Sequence, residues 1–199
     1  MSASATKSRI LTAGRELFNL EGYAAQSAVD LAVYLGISPG HLYYHFKGKA
    51  DIAHVLIEEH LIEIASICEN GIRQCEGENA TIENAWTQVH ILIEEVYDMR
   101  FAYREASFLA RSEPRFRAQI SHAGTLIDNF CKDIIAALLK SGAIFAKPEI
   151  IDGLVAQLAL GIEFQHMRLE NLVPHNTTPR ALVERAAAIV MLPLSGFAN

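Results

Sequence analysis

The sequence predicts an all-α protein, because apolar residues recur at helical spacing along most of its 199 residues. No stretch shows the sustained period-two alternation, bounded by hairpin turns, that is typical of strands in a sheet. Hydrophobic residues make up 51% of the chain and charged residues 20%, which is typical of a folded globular protein and argues against disorder. We expect two domains, residues 1–48 and residues 49–199.

The distribution of charge agrees with this division. Residues 1–49 contain five basic and three acidic side chains, a net charge of +2, whereas the rest of the chain carries −8. This asymmetry predicts a small cationic module attached to an anionic body.

Capping residues place the first three helices. The first amphipathic helix is expected to end near Gly22, and Ser27 can cap a second, short helix that stops at Gly36. Ser38 can cap a third, with Pro39 at the first helical position, where a missing N–H costs nothing. Further helices are expected at about residues 49–75, 81–99, 103–112, 115–141, 149–171 and 178–192.

The third helix lies in the stretch "GISPGHLYYHFKGK" and has two different faces. The side expected to face the core carries Pro39, Leu42, Tyr43 and Phe46. The opposite side carries Gly40, His41, Tyr44 and His45. Two short helices joined by a glycine-containing turn, the second with polar tips beside lysines, are typical of a helix-turn-helix DNA reader. Spacing alone leaves open that this is an ordinary surface helix.

From Ser8 to about Leu56, the segments "RILTAGRELFNLEGY" and "LAVYLGISPGHLYYHFKGKADI" resemble the DNA-binding domain of the TetR family of bacterial regulators. The resemblance implies contacts with phosphates for Ser27 and Lys49. It also implies a set of residues at or near the major groove: Ser38, Pro39, Gly40, His41, Tyr43, Tyr44 and His45.

Two features depart from the family pattern. Pro39 stands where many relatives have a polar or basic side chain, and Val29 and Val33 occupy outward positions that are often polar. We therefore expect base readout to depend on His41 and Tyr44 more than usual.

The later part of the chain resembles TetR-family ligand-binding domains more loosely, through "YDMRFAYREASFLARSEPRFRAQ". The resemblance implies a cavity for a small-molecule effector among the later helices. The residues expected to line it are Trp86, His90, Tyr97, Phe101, Phe108, Phe130, Gln157 and Phe164. A largely aromatic lining suits a mostly apolar effector. The alternative is that these rings simply fill the core.

The resemblance also implies a homodimer that occupies a palindromic operator until effector binding moves the fourth helix. The candidate dimer helices are residues 149–171 and 178–192, whose apolar stripes could instead form an intrachain core. The first residues, "MSASATKSR", lack an apolar targeting segment, and no apolar run is long enough to span a membrane. We expect a cytoplasmic protein with no membrane contact.

Two further pairs of side chains are weaker signals, one for a metal site and one for acid–base catalysis. His41 and His45 have the i,i+4 spacing of a metal pair but no third ligand, so no metal is expected. His90 and Glu94 could form an acid–base pair, and an enzyme or a helical interaction module that uses them is the alternative function. Motifs for a nucleophile or a phosphate cradle are absent, so we expect no enzyme and no cofactor. The effector, the operator and the choice between repression and activation stay open.

Overall fold

The computed structural model describes residues 3–174 and 176–198, which form ten α-helices and one short 3-10 helix. Within these residues no strand forms, and an isolated bridge pairs Ile144 with Ala198. The all-α prediction is confirmed. No helix in the described part of the chain is long and apolar enough to cross a membrane.

The helices are α1 (Ala3–Glu21), α2 (Ala28–Leu35), α3 (Pro39–His45), α4 (Lys49–Gln74), α5 (Ile82–Asp98), α6 (Arg100–Arg104), α7 (Ala106–Ser112), α8 (Pro114–Ser141), α9 (Pro148–Glu170) and α10 (Pro179–Ser195). The 3-10 helix, Gly77–Asn79, lies between α4 and α5.

The first compact unit contains the chain up to Leu61 together with Met99–Ile120. In it α1 packs against α2 and α6, and α2 packs against α3. Its core holds the fully buried rings of Phe18, Phe101 and Phe116. Burying an aromatic side chain of this size contributes about 1.5–3 kcal/mol each. The core therefore joins residues that are about 80 positions apart in sequence.

Caps fix the start of the two short helices, as predicted. The Ser27 hydroxyl accepts a hydrogen bond from the Asp30 backbone N–H, and the Asp30 carboxylate accepts one from the Ser27 N–H, which completes a capping box. Gly36 ends α2 in the left-handed region at φ 65°. Ser38 accepts from the His41 N–H at the start of α3, with Pro39 at the first helical position.

The second compact unit contains Ile62–Asp98 and the chain from Ser121 onward. Here α5, α9 and α10 pack against one another. A Cβ atom on Gly161 would lie 2.9 Å from Cγ2 of Val190, so α9 and α10 approach as closely as they do because Gly161 has no side chain. The stripe formed by Leu154, Leu158 and Ile162 is buried within this unit. For these three residues of the helix predicted at 149–171, the structure agrees with the intrachain core rather than with a dimer contact.

The segment between α5 and α8 differs from the prediction. The helix predicted at 81–99 matches α5, whereas the structure has two short helices, α6 and α7, separated at Glu105, where the sequence predicted one helix at 103–112. At this break the Glu105 carboxylate accepts hydrogen bonds from backbone N–H groups of residues 23 and 24. Residues 99–120 belong to the first compact unit, while the functional division at residue 48 stays a prediction.

Candidate nucleic-acid interface

Two apolar anchors hold α3 and leave the rest of it accessible. Leu42 and Phe46 are buried, whereas Tyr44 is 80% exposed and Tyr43 is 50% exposed. The assignment of Pro39 and Tyr43 to the core side was wrong, because the buried residues here are Leu42 within the helix and Phe46 directly after it. Ser38, Pro39 and His41 are also exposed.

The exposed face of α3 groups rings that can both donate and accept hydrogen bonds. The ring centroids of His41 and His45 are 5.4 Å apart, and the Tyr44 ring meets the edge of His45 at 5.0 Å. Apart from the chain neighbours of Gly40 and the backbone of its own helix, no atom of the described residues lies within 4 Å of the position that a Cβ atom on Gly40 would occupy. Imidazole and phenol groups can match donors and acceptors on base edges in the major groove. The predicted base-reading residues therefore share one accessible surface.

The exposed residues of α2 extend this surface. Val29 and Val33 are exposed, as the sequence predicted. Sequence reasoning missed Tyr34, which is also exposed and whose hydroxyl donates to the Glu16 carboxylate at 3.3 Å. Apolar groups here suit contact with thymine methyl groups or with the sugar backbone. The i,i+3 spacing from Leu31, which is fully buried, would place Tyr34 on the same side of the helix as Leu31, so helical spacing carried no signal of its exposure.

Ser27 is exposed at the start of α2, but its hydroxyl already has partners. It donates to the Asp30 carboxylate at 2.6 Å and accepts from the Asp30 N–H at 3.2 Å. These hydrogen bonds, from the Ser27 side chain first and then from its backbone, lower the pKa of Asp30. A carboxylate at this place repels a phosphate, so the phosphate contact of Ser27 stays a prediction.

Lys49 is half-buried at the start of α4, and its ammonium group contacts backbone carbonyls. Nζ lies 2.9 Å from the Tyr23 oxygen, 3.3 Å from the Ala24 oxygen and 2.5 Å from the Gln26 oxygen. Burial lowers the pKa of Lys49, and the charges of Glu105 and Asp30 oppose this shift. The phosphate contact of Lys49 also stays a prediction.

The residues expected to line the effector cavity fall in both compact units. Phe101 and Phe108 belong to the first unit, and the other six belong to the second. Phe101 is fully buried in the core of the first unit, and Phe130 packs where a Cβ atom on Gly71 would come within 3.0 Å of it. These two positions favour the core alternative. Tyr97 meets His166 edge-on at 5.9 Å, and Phe108 is exposed.

Trp86 and His90 form a stacked pair on α5. Their ring centroids are 5.1 Å apart with an interplanar angle of 26°. Trp86 is 36% exposed, whereas Nε2 of His90 is buried and has no hydrogen-bond partner within the described residues. A buried ring nitrogen without a partner costs about 1–3 kcal/mol, which a bound polar group could offset. Contact of these residues with an effector stays a prediction.

Gln157 and Phe164 lie together on a groove of about 420 Å³ formed by α9 and α10. The other lining residues include Leu160, Ile189 and Pro193, so the groove is mainly apolar. Across the described residues, no three His, Cys, Asp or Glu side chains lie close enough to hold a metal ion.

Known proteins resemble both parts of the chain. The family profile described as "Bacterial regulatory proteins, tetR family" matches residues 10–56, and the TetR profile described as "Bacterial transcriptional repressor" matches residues 66–197. The HTH-type transcriptional regulator UidR of Escherichia coli strain K12 is 38% identical over 55 residues. That match spans 28% of this chain and 28% of the length of UidR.

Solved structures share the fold over the whole chain. A TetR-family transcriptional regulator from Marinobacter aquaeolei VT8 superposes with a TM-score of 0.83 at 22% identity, covering 100% of this chain and 92% of its own. The ketosteroid transcriptional regulator KstR2 of Mycobacterium tuberculosis has a TM-score of 0.74 at 18% identity, covering 100% and 97%.

The two family profiles together account for most of the chain, and the first of them spans α2 and α3, with the accessible surface described above. The protein is a DNA-binding transcriptional regulator with a helix-turn-helix, and the relatives named above are transcriptional regulators. It belongs to the tetR family of bacterial regulatory proteins.

Proposed function

We propose that the protein is a homodimeric repressor that occupies a palindromic operator and leaves it when a small, mostly apolar effector binds. The observation that carries this proposal is the accessible face of α3, where the rings of His41, Tyr44 and His45 lie beside one another and Tyr44 is 80% exposed. Such a face has a physical reason to exist if it meets the polar floor of the DNA major groove.

The DNA contacts follow from the accessible side chains. His41 and Tyr44 supply the direct base contacts, with His45 beside them, while Gly40 lets the helix backbone come close to DNA. Ser38 and Pro39 lie at the exposed N-terminal end of α3, which favours negative charge such as a phosphate. Tyr43 is half-exposed, so its hydroxyl can reach the DNA backbone.

A palindrome is read by two copies of α3 about one helical turn apart, roughly 34–36 Å, so the proposal requires a dimer. The outer surface of α9 and α10 supports one. Leu160, which lines the apolar groove together with Phe164 and Ile189, is 60% exposed, and Leu192 on α10 is 67% exposed. Exposed apolar surface of this kind marks a protein contact more often than open solvent.

The effector is proposed to bind at the Trp86–His90 pair. The unpartnered Nε2 of His90 offers one hydrogen bond, and the Trp86 ring offers an apolar face. One polar anchor with aromatic walls suits a mostly apolar molecule. KstR2, which shares the fold, is named for ketosteroids, a class of such molecules.

Selection from a pool of random-sequence DNA duplexes tests the proposed function. The wild-type protein is expected to enrich a palindrome whose half-sites lie about 10 base pairs, or a multiple of one helical turn, apart centre to centre. Binding to the enriched duplex should weaken steeply as salt rises. A pool that shows no enriched sequence after repeated rounds would contradict the proposal.

The effector site is tested by screening apolar small molecules for release of the selected duplex. Any molecule that releases the wild-type protein should act much more weakly on a folded Trp86→Ala/His90→Ala double variant. A matched control is Phe145→Ala, which removes an exposed aromatic ring from another part of the second unit. Unchanged release from the double variant would place the effector elsewhere.

A further inference from the structure

The turn between α1 and α2, residues 22–26, is held by a carboxylate through its N–H groups. Oε1 of Glu105 accepts from the Tyr23 N–H at 2.6 Å, and Oε2 accepts from the Ala24 N–H at 2.8 Å. Hydrogen bonds from backbone N–H groups to an ionised carboxylate are about twice as strong as neutral ones. Glu105 lies 82 positions away in sequence, at the break between α6 and α7.

The same turn is held by an ammonium group through its carbonyls. Lys49 has three N–H donors, and its Nζ lies within 3.3 Å of three carbonyl oxygens, those of Tyr23, Ala24 and Gln26. The ammonium also lies 4.5 Å from the centre of the Tyr23 ring, which adds a cation–π contact. Each of its donors therefore has a backbone acceptor within reach.

Gly22, at the start of the turn, has no side chain and so leaves room for the Glu105 carboxylate. Gly22 has φ +88°, which a residue with a side chain adopts at a cost, and a Cβ atom there would lie 3.1 Å from Oε1 of Glu105. The Tyr23 side chain is buried, and its ring meets those of Phe18 and Phe116. The backbone conformation of Gly22, the packing of Tyr23 and the contacts with Glu105 and Lys49 therefore all restrain the same turn.

The turn leads directly into the DNA-reading elements. Gln26, whose carbonyl contacts Lys49, is followed by Ser27, the N-cap of α2. Because α2 packs on α3, and Leu31 and Leu42 are buried in the same core, a shift of this cap moves the face that carries Tyr44.

We propose that Lys49 and Glu105 are positioning residues that clamp the α1–α2 turn from opposite sides and thereby set the placement of α2 and α3. The effect of Lys49 on DNA affinity then comes from the placement of α2 and α3. The inference rests on the proposed DNA-binding function for its effect on affinity, whereas the clamp itself is a property of the free protein.

The test compares wild type, Lys49→Met and Lys49→Arg on the duplex that the wild-type protein selects. Arginine keeps the charge but spreads its donors in a plane, so it cannot direct three of them to three converging carbonyls. Both variants are expected to bind about 10-fold more weakly at every salt concentration, with the wild-type slope of log Kd against log salt. A lost phosphate contact would instead lower that slope by about one for Lys49→Met, and Lys49→Arg would bind like wild type.

Amide hydrogen exchange in the free protein measures the clamp separately. The Tyr23 and Ala24 amides are expected to exchange at least about 10-fold faster in Lys49→Met, because the turn that presents them to Glu105 loosens. Lys47→Met, which changes an exposed lysine two residues earlier, is the matched control and should leave both amides unchanged. If Lys49→Met fails to fold, Glu105→Gln tests the other side with the same two expected results.

A fall of about one in the salt slope overturns the inference, whatever the exchange data show. Unchanged exchange of the two amides overturns it too, and so does faster exchange with unchanged DNA affinity. If no duplex is ever selected, the proposed function fails. The exchange experiment would still show whether the clamp exists.

Discussion

Nε2 of the buried His54 lies 2.9 Å from a carboxylate oxygen of Glu113, and Nδ1 of the same ring lies 2.9 Å from the Gln119 amide oxygen. The Gln119 amide nitrogen donates to the His54 carbonyl and to the Glu58 carboxylate, which fixes the orientation of the amide. The ring stacks on Phe116 at 3.8 Å. Inside the first unit, this network joins the first turns of α4 to the start of α8.

Replacing Gln119 by alanine leaves Nδ1 of the buried His54 ring without its amide partner and removes one hydrogen bond to the His54 backbone carbonyl. Leaving such buried groups unpaired costs about 1–3 kcal/mol each, so we expect Gln119→Ala to lower the free energy of unfolding by at least about 1–3 kcal/mol. Urea unfolding followed by circular dichroism measures this loss. Gln74→Ala, at an exposed position near the end of α4, should stay within about 0.5 kcal/mol of wild type. Equal stability of the two variants would contradict the importance of the network.

The different burial of Phe101 and Trp86 predicts different losses of stability when each side chain is replaced by alanine. Phe101 is fully buried, so Phe101→Ala should lower the free energy of unfolding by about 3–5 kcal/mol. Trp86 is partly exposed, so Trp86→Ala should cost less, about 1 kcal/mol. Parallel urea unfolding curves give both values. A loss at Trp86 as large as that at Phe101 would make Trp86 a core residue and contradict its proposed place beside an effector.

The raised pKa of Glu163 on α9 predicts that the stability of the protein depends on pH. Burial, and secondly the charge of Asp128, raise its pKa from 4.5 to about 7. Between these values the folded protein holds a proton that the unfolded chain releases, so stability falls as pH rises from about 4.5 to 7 and is level above that. Because the side chain is only partly buried, solvent screening reduces the effect to about 1–2 kcal/mol.

Glu163→Gln should therefore be more stable than wild type by about 1–2 kcal/mol at pH 8, with no such gain near pH 4.5. Urea unfolding at the two pH values measures the difference. Glu59→Gln, at an exposed position on α4, should differ from wild type equally at both. A pH-independent effect of Glu163→Gln would show that its carboxyl group titrates alike in the folded and unfolded states.

The proposed dimer predicts the effect of a charge on the outer surface of α9. Leu160→Glu places a carboxylate in the apolar groove, and a buried unpaired charge costs several kcal/mol, so the dimer should dissociate at micromolar concentration. Sedimentation velocity measures the state. Leu20→Glu changes a leucine of α1 that is 70% exposed and should leave the dimer intact. A wild-type monomer, or a Leu160→Glu dimer, would contradict this interface.

Local sequence determined what could be predicted about the DNA-reading helices. Ser27, Ser38 and Gly36 act on backbone groups within a few residues of themselves, so cap chemistry alone placed α2 and α3. The division of faces on α3 was right for Leu42 and wrong for Tyr43, because a helical wheel does not show how far the core extends along a short helix.

Features that depend on distant residues could not be predicted. The break at Glu105 and the backbone partners of Lys49 require residues 23–26 to meet segments far away in the chain. Phe101 has the same spacing pattern whether it lines a cavity or fills the core, and only its contact with Phe18 in the fold distinguishes the two. Local patterns give no information about such long-range contacts.

The affinity of folded Tyr44→Ala for the duplex selected by the wild-type protein tests the central claim most directly. Tyr44 is 80% exposed, so its removal should leave stability unchanged, and Phe145→Ala, which removes an exposed ring outside the first unit, is the control. Fluorescence anisotropy at fixed salt is expected to show binding weakened by about 1–3 kcal/mol for Tyr44→Ala and unchanged for Phe145→Ala. Equal affinity of Tyr44→Ala and wild type for this duplex would contradict the assignment of α3 as the DNA-reading helix.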